Sequence, residues 1–175
     1  MEGKTVDPAE FRDRQKKQWD SAATGWRKWS DLIDGSMGGI GERLVELAGV
    51  EPGSRVLDVA AGYGEPALTA AKAAGPEGSV VASDISAEML AYGRERAAAA
   101  GLENIEFVQA DASALDFPEG GFDAAVSRFG IIFEPDGEGA AAKVRGFLKT
   151  GGRMAIAHGA RPSRCPSWRS QCRRR

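Results

Sequence analysis

The chain has 175 residues, of which 42% are hydrophobic and 27% charged, as is usual for a single globular domain. Six arginines and no acidic residue lie in 161–175, so the net charge of −2 conceals an acidic body of net charge −8 over residues 1–160. Such a body argues against a nucleic-acid partner. Because no apolar run approaches the roughly 20 residues of a membrane span and no secretory signal opens the chain, we expect a cytoplasmic protein.

Cysteine and histidine are too scarce to build a metal centre or a disulfide framework. Both cysteines, Cys165 and Cys172, lie in the C-terminal segment, and His158 is the single histidine of the sequence. We therefore expect neither a metal site nor disulfide stabilisation.

The first 50 residues are predicted to form an N-terminal helical cap. Apolar residues recur at helical spacing over 8–30 and again over about 39–49. Gly25 and the glycine-rich stretch 34–41 lie between these patterns, so we predict two separate helices.

Residues 51–160 alternate short apolar strands with helices. Strands are predicted at 55–60, 78–84, 104–110, 122–127 and 153–157, with helices ending near residues 74, 100 and 148. Ser86 is the predicted N-cap of the helix that follows the second strand. This alternation predicts a doubly wound α/β fold with a parallel sheet, in which ligands bind beyond the carboxyl ends of the strands.

The turn after the first strand carries two glycines. In the stretch Val56–Gly64, Gly62 and Gly64 follow the strand, and glycine there allows positive φ and close approach of a ligand. The same glycines could serve only to turn the chain, so the motif alone does not decide between structure and function.

Three acidic residues lie in or directly after three successive strands. Asp58 lies in the first strand, Asp84 ends the second at the place where a carboxylate binds ribose hydroxyls, and Asp111 follows the third, suited to an adenine amino group. Each acid could instead cap a helix. Their shared position at one edge of the sheet favours a nucleotide-like ligand.

These motifs together resemble the class I S-adenosylmethionine-dependent methyltransferases, in particular the ubiquinone/menaquinone-biosynthesis-like branch. The resemblance covers about residues 15–158. It includes Val56–Gly64, with Ala60 in place of a usual glycine, as well as Ser83–Ser86, Gln109–Ala112, Phe117–Asp123 and Phe147–Arg153.

The resemblance implies a Rossmann-like fold of methyltransferase type, S-adenosylmethionine as cofactor and a small-molecule methyl acceptor. It implies that Asp58, Ala60 and Gly62 surround the amino-acid end of the cofactor, that Asp84 binds its ribose, and that Ser127 and Arg128 lie near its carboxylate and methyl group. The implied cofactor-binding set is Trp26, Asp58, Ala60, Gly62, Gly64, Asp84, Ile85, Met89, Asp111, Ala112, Ser127 and Arg128.

Two further features have alternative interpretations. Trp19, Trp26 and Trp29 recur at helical spacing, which favours a core role for at least one of them, while Trp26 could cover the cofactor. His158 follows the fifth strand and is a weak candidate for a catalytic base; a lone histidine is more often structural or solvated. If Ala60 only replaces a permissive glycine, Ala60→Gly should keep cofactor affinity and modestly lower stability.

Residues 161–175 differ abruptly from the body. They are rich in Arg, Pro, Ser and Cys and have no periodic apolar face, which indicates a basic, disordered or out-of-frame tail. A native basic arm is the alternative. On the first interpretation the chain is C-terminally truncated, lacks the last two strands of the family's sheet, and has an exposed edge at the fifth strand.

Three functions remain open on these grounds. The first is methyl transfer to a small molecule, and the second is cofactor binding by an inactive remnant. The third, an NAD-dependent oxidoreductase, is less favoured because Gly64 is followed by Glu65-Pro66-Ala67 and not by the spacing G-x-G-x-x-G.

Overall fold

The structure, a computed structural model, describes residues 7–159 and contains one parallel five-stranded sheet. Its strand order is β3-β2-β1-β4-β5. The strands are β1 (Arg55–Val59), β2 (Ser79–Asp84), β3 (Ile105–Gln109), β4 (Phe122–Arg128) and β5 (Leu148–Ala157). The helices are α1 (Pro8–Ala48), α2 (Ala67–Ala74), α3 (Ala87–Ala99) and α4 (Gly137–Gly146), with short 3-10 turns at Ala112–Ala114 and Ile131–Phe133. The predicted Rossmann-like doubly wound sheet is confirmed.

Helices cover both faces of the sheet because side chains alternate along each strand. On one face Val56, Val80 and Val126 pack against Leu44 of α1 and the alanines of α2. On the other face a second cluster joins the sheet to α4; its buried members include Leu57, Val59, Val81, Phe122 and Val144. The sheet is thus the middle layer, and its carboxyl edge is left free for a ligand.

Polar side chains begin three of the helices. Asp7 accepts a hydrogen bond from the backbone N–H of Ala9 at 2.9 Å, and Asp136 accepts one from Gly139 at 2.8 Å. Ser86 accepts one from Met89 at 3.2 Å, which confirms it as the N-cap of α3.

The prediction of two N-terminal helices is wrong, since α1 runs without a break from Pro8 to Ala48. Nothing lies within 4 Å of the space that a side chain would fill at Gly25, Gly35 or Gly39, so these glycines cost helix propensity without forcing a break. Contacts on both sides hold the helix together. Asp34, at the start of the glycine-rich stretch, accepts a hydrogen bond from the hydroxyl of the buried Tyr63, and Leu44, which follows the stretch, is buried. Tertiary packing overrides local propensity here.

The fifth strand begins earlier than predicted. It starts at Leu148 instead of the predicted residue 153, and it pairs with β4 through an irregularity between Phe122 and Ala124. Within residues 7–159, β5 pairs on one side only, so it forms an edge of the sheet. The predicted tail, 161–175, lies outside the described residues. In the part of the chain that the structure describes, no helix combines the length and apolarity needed to cross a membrane.

Candidate cofactor site

A pocket lies between α1 and the carboxyl ends of the first four strands. Its walls come from α1, from the turn after β1, from the ends of β2 and β4, and from the segments after β3 and β4. Its lining residues are Phe11, Arg12, Gln15, Trp19, Trp26, Met37, Ala60–Tyr63, Glu65, Asp84, Ile85, Met89, Ala110–Ala112, Arg128–Gly130 and Phe133–Pro135. This is the position at which open α/β sheets bind ligands.

Most of the predicted cofactor residues line this pocket. The structure brings together Trp26, Ala60, Gly62, Asp84, Ile85, Met89, Asp111, Ala112 and Arg128. Four candidates do not line it, namely Asp58, Gly64, Ser127 and His158.

The turn after β1 approaches the pocket with its backbone. Ala60 and Gly62 both have left-handed backbone conformations, with φ of 59° and 54°. At Gly62 nothing lies within 4 Å of the space that a side chain would occupy, so the backbone faces open room. Such a turn allows a ligand to lie directly against the chain.

Asp84 links the ends of β1 and β2. Its Oδ2 accepts a hydrogen bond from the backbone N–H of Gly62 and its Oδ1 one from Ser86, both at 2.8 Å. Burial raises the pKa of this carboxyl, although these two N–H groups favour its charged form. A carboxylate has about four acceptor positions, so Asp84 keeps capacity for ligand hydroxyl groups.

Asp111 acts partly as a cap, the alternative noted from the sequence. Its Oδ1 accepts hydrogen bonds from the backbone N–H and the hydroxyl of Ser113, at the start of the turn Ala112–Ala114. Its Oδ2 lies 3.9 Å from Nε of Arg12 on α1. Glu134 also lines the pocket, and burial, reinforced by the Asp111 charge, raises its pKa.

Arg128, the last residue of β4, brings a buried positive charge to the pocket. Its residue exposure is 8%, its Nη2 donates to the Tyr63 hydroxyl at 2.9 Å, and its Nη1 has no hydrogen-bond partner within residues 7–159. An unpaired buried guanidinium N–H is costly unless an acceptor arrives. The position therefore suits an anionic group of a ligand.

Asp58 lies behind the pocket rather than in it. Its side chain shares the face of β1 that packs under α2, it is fully buried, and neither carboxylate oxygen accepts a hydrogen bond of normal geometry. Burial raises the pKa of Asp58 well above its ordinary value, against the opposing influence of Arg128 and the Ala67 N–H. Asp58 is therefore not among the residues that line the pocket, and its place near the amino-acid end of the cofactor stays a prediction.

Gly64, Ser127 and His158 have other surroundings. A side chain at Gly64, where φ is 107°, would meet Leu68 and Gly93, so this glycine allows the loop to pack on α3. The Ser127 hydroxyl donates to the Val59 carbonyl at 2.8 Å and holds two strands together. His158 is exposed beyond β5 and outside the pocket, so the structure offers no support for it as a base.

Three aromatic side chains, Trp19 and Trp26 of α1 and Phe133 after β4, cover the pocket and are called its roof. Trp26 lies 5.4 Å from the Tyr63 ring and Trp19 packs edge-on against Phe133 at 5.3 Å, both measured between ring centroids. Trp29 is 54% exposed and belongs to neither the roof nor the core.

Sequence reasoning missed Tyr63, Arg12, Met37 and Glu134 as pocket residues. The helical stripe that contains Phe11, Gln15, Trp19 and Trp26 was visible in the sequence, and its apolar face proves to be the roof. Tyr63 carried no signal beyond its place between Gly62 and Gly64.

Fold and pocket together define an α/β protein with a nucleotide-type cofactor site at the carboxyl edge of its sheet. Comparison with known proteins makes this more specific. The model of the ubiE/COQ5 methyltransferase family matches residues 21–169. The chain belongs to this family, which confirms the resemblance found in its motifs and indicates S-adenosylmethionine as the cofactor.

Individual relatives agree with this assignment. A ubiquinone/menaquinone biosynthesis C-methyltransferase from Pseudomonas fluorescens is 36% identical over 162 residues, which cover 91% of this chain and 63% of the relative. The chain thus spans less than two thirds of that protein's length.

Solved structures share the fold. An arsenic(III) S-adenosylmethionine methyltransferase from Chlamydomonas reinhardtii is 32% identical with a TM-score of 0.57, covering 62% of this chain and 39% of that one. A SAM-dependent methyltransferase from Aquifex aeolicus is 22% identical with a TM-score of 0.61, covering 90% and 79%, and supports the fold alone.

Proposed function

We propose that this chain binds S-adenosylmethionine beneath α1 and promotes transfer of its methyl group to a small-molecule acceptor. The observation that carries the proposal is that side chains of opposite charge line one pocket on the two sides of β1. Asp84 ends β2 and Asp111 follows β3, on one side of β1, whereas the buried Arg128 ends β4, on the other side. In this proposal residues 1–50 act as a cap over a cofactor-binding core, 51–160.

The residues present fit the chemical groups of this cofactor. Asp84 supplies acceptor capacity for ribose hydroxyls and Asp111 for an adenine amino group, while Arg128 supplies a donor for the amino-acid carboxylate. Ile85, Met89 and Ala112 give the apolar walls that a purine ring needs. At Gly62 the absence of a side chain leaves room for the ligand to lie on the backbone.

When bound, the cofactor would supply a methyl group activated by its sulfonium for in-line transfer to the acceptor. The protein contributes by holding the acceptor in line and excluding water, which together can supply most of the acceleration. The roof of Trp19, Trp26 and Phe133 provides an apolar enclosure. If the methyl group goes to a carbon atom it replaces a hydrogen, so one proton must leave to water or to a base; His158 is not among the residues that line the pocket.

The names of the relatives suggest which acceptor to test first. Since the similar proteins are ubiquinone/menaquinone biosynthesis C-methyltransferases, we propose a precursor from those pathways as the acceptor class. The experiment uses methyl-labelled S-adenosylmethionine with such precursors and follows label in the organic product. Labelled product that requires Arg128 would support the proposal. Tight binding of S-adenosylhomocysteine without any transfer would identify the chain as a cofactor-binding remnant.

A further inference from the structure

In the part of the chain that the structure describes, the guanidinium of Arg128 makes a single side-chain hydrogen bond. Its Nη2 lies 2.9 Å from the Tyr63 hydroxyl oxygen, and its central carbon lies 5.5 Å from the centroid of the same ring. Among residues 7–159, Nη1 has no hydrogen-bond partner, and the residue lines the pocket. The Tyr63 hydroxyl is therefore the group that orients this guanidinium through a hydrogen bond, while the nearby Asp58 acts on it through charge alone.

The direction of each hydrogen bond follows from chemistry. Arginine can only donate, so the Tyr63 oxygen accepts from Arg128 and its own proton must go elsewhere. Asp34 of α1 lies 2.6 Å from that oxygen and accepts the proton. Asp34 is fixed in turn by Arg96, whose guanidinium lies 2.5 Å from its Oδ2 and 4.7 Å from the centroid of the Tyr63 ring.

The tyrosine keeps this arrangement at neutral pH. Burial, reinforced by the hydrogen bond to Asp34, raises the pKa of Tyr63 to about 12. The hydroxyl thus remains protonated and satisfied on both sides, and its ring is further held by contacts with Trp26 and Tyr92.

We propose that Tyr63 is a positioning residue, which orients the guanidinium of Arg128 so that it receives the carboxylate at the amino-acid end of the cofactor. This inference rests on the proposed function. It also makes α1 part of the device, because Asp34 on that helix fixes the tyrosine. A purely structural role would be different: the hydroxyl would only anchor α1, and its loss would affect all ligands of the pocket alike.

The test compares two ligands that differ in the group at issue. S-adenosylhomocysteine carries the amino-acid carboxylate, whereas 5′-methylthioadenosine has the same nucleoside and a thioether without it. Dissociation constants are measured by calorimetry for the wild type, for Tyr63→Phe and for Tyr92→Phe. Tyr92 is the matched control, since its hydroxyl is 2.9 Å from Ser30 Oγ and it does not line the pocket.

We expect Tyr63→Phe to weaken the binding of S-adenosylhomocysteine about tenfold, as for loss of a hydrogen bond that orients a charged group. The dissociation constant of methylthioadenosine should change less than about twofold, and Tyr92→Phe should alter neither dissociation constant. The ratio of the two constants is the readout, because a partly unfolded variant would weaken both ligands equally. An unchanged ratio in Tyr63→Phe would overturn the inference. Failure of the wild type to bind either ligand would instead refute the proposed function.

Discussion

The Ala60 methyl group fills the space that a side chain at Gly130 would need. Ala60 stands at the end of β1 in a left-handed conformation, with φ of 59°, and a Cβ built at Gly130 would collide with its own Cβ. The two residues join the cofactor-side turn to the segment after β4, and both line the pocket.

The conformation of Ala60 reverses an expectation drawn from the sequence. A non-glycine residue in the left-handed region costs about 1–2 kcal/mol. The substitution Ala60→Gly removes this strain, and the gain offsets the higher conformational entropy that glycine gives to the unfolded chain. We predict a free energy of unfolding equal to the wild type or up to about 1 kcal/mol higher. Urea denaturation measures it, with Ala61→Gly as control. Ala61 is buried and does not have a positive φ, so Ala61→Gly should lower the free energy of unfolding. A similar fall in the free energy of unfolding for both variants would contradict the account.

Gly130→Ala should lower the free energy of unfolding by about 1–3 kcal/mol, as for overpacking. Combining it with Ala60→Gly should recover part of that loss, because the colliding methyl is gone. The recovery will be incomplete, since the Val59 carbonyl and the Ser127 hydroxyl also lie 3.1 and 3.2 Å from the new Cβ. A double-mutant cycle by urea denaturation checks this coupling, and strictly additive effects would rule the contact out.

The glycines of α1 predict a stabilising substitution. Gly39 is exposed in a continuous helix with nothing within 4 Å of a new methyl group, so Gly39→Ala should stabilise by about 1 kcal/mol. Gly49 is the control, because it ends the helix with φ of 69° and alanine there is strained. Thermal unfolding should show opposite shifts of the midpoint for the two variants. A rise for both, or a fall for both, would show that α1 is not the helix described.

Asp58 predicts a pH dependence of stability with a definite sign. Its folded pKa is raised well above 3.8, so the wild type loses stability as pH rises from about 4 through that folded value. Glu65 and Asp84 face it as like charges and Arg128 as the opposing one, with burial the largest influence. Asp58→Asn never ionises, so it should gain stability over the wild type as pH rises to neutrality.

Asp123→Asn is the control with the opposite sign. Hydrogen bonds from Lys149 and the Arg55 N–H lower the pKa of Asp123, so its contribution is present above pH 4 and is lost as pH falls through the folded value. Denaturation of both variants from below pH 4 to pH 8 should give a difference curve for Asp58→Asn that rises between pH 4 and 8, whereas the curve for Asp123→Asn should be flat there and change only below about pH 4. Parallel curves would contradict the assignment for Asp58.

The parts of the fold that the sequence predicted are those encoded locally. The strand–turn–helix around Gly62 and the acid at Asp84 lie within short motifs, so their positions followed from spacing and the parallel sheet. The link from Asp34 to Tyr63 to Arg128 joins residues far apart in the chain, and no local pattern records it. The burial of Asp58 was foreseeable, because alternation along β1 places it on the same face as Val56. The continuity of α1 was not, because tertiary contacts decide it.

The most direct test of the account is the affinity of S-adenosylhomocysteine for the wild type and for Asp84→Ala, measured by calorimetry with NAD as a second ligand. We predict binding of S-adenosylhomocysteine and not of NAD, with a loss of about 1–3 kcal/mol in Asp84→Ala because the ribose acceptor is gone. Asp123→Ala, which removes a carboxylate that does not line this pocket, should bind as the wild type does. Equal affinity in the wild type and Asp84→Ala, or a preference for NAD, would contradict the assignment of this pocket.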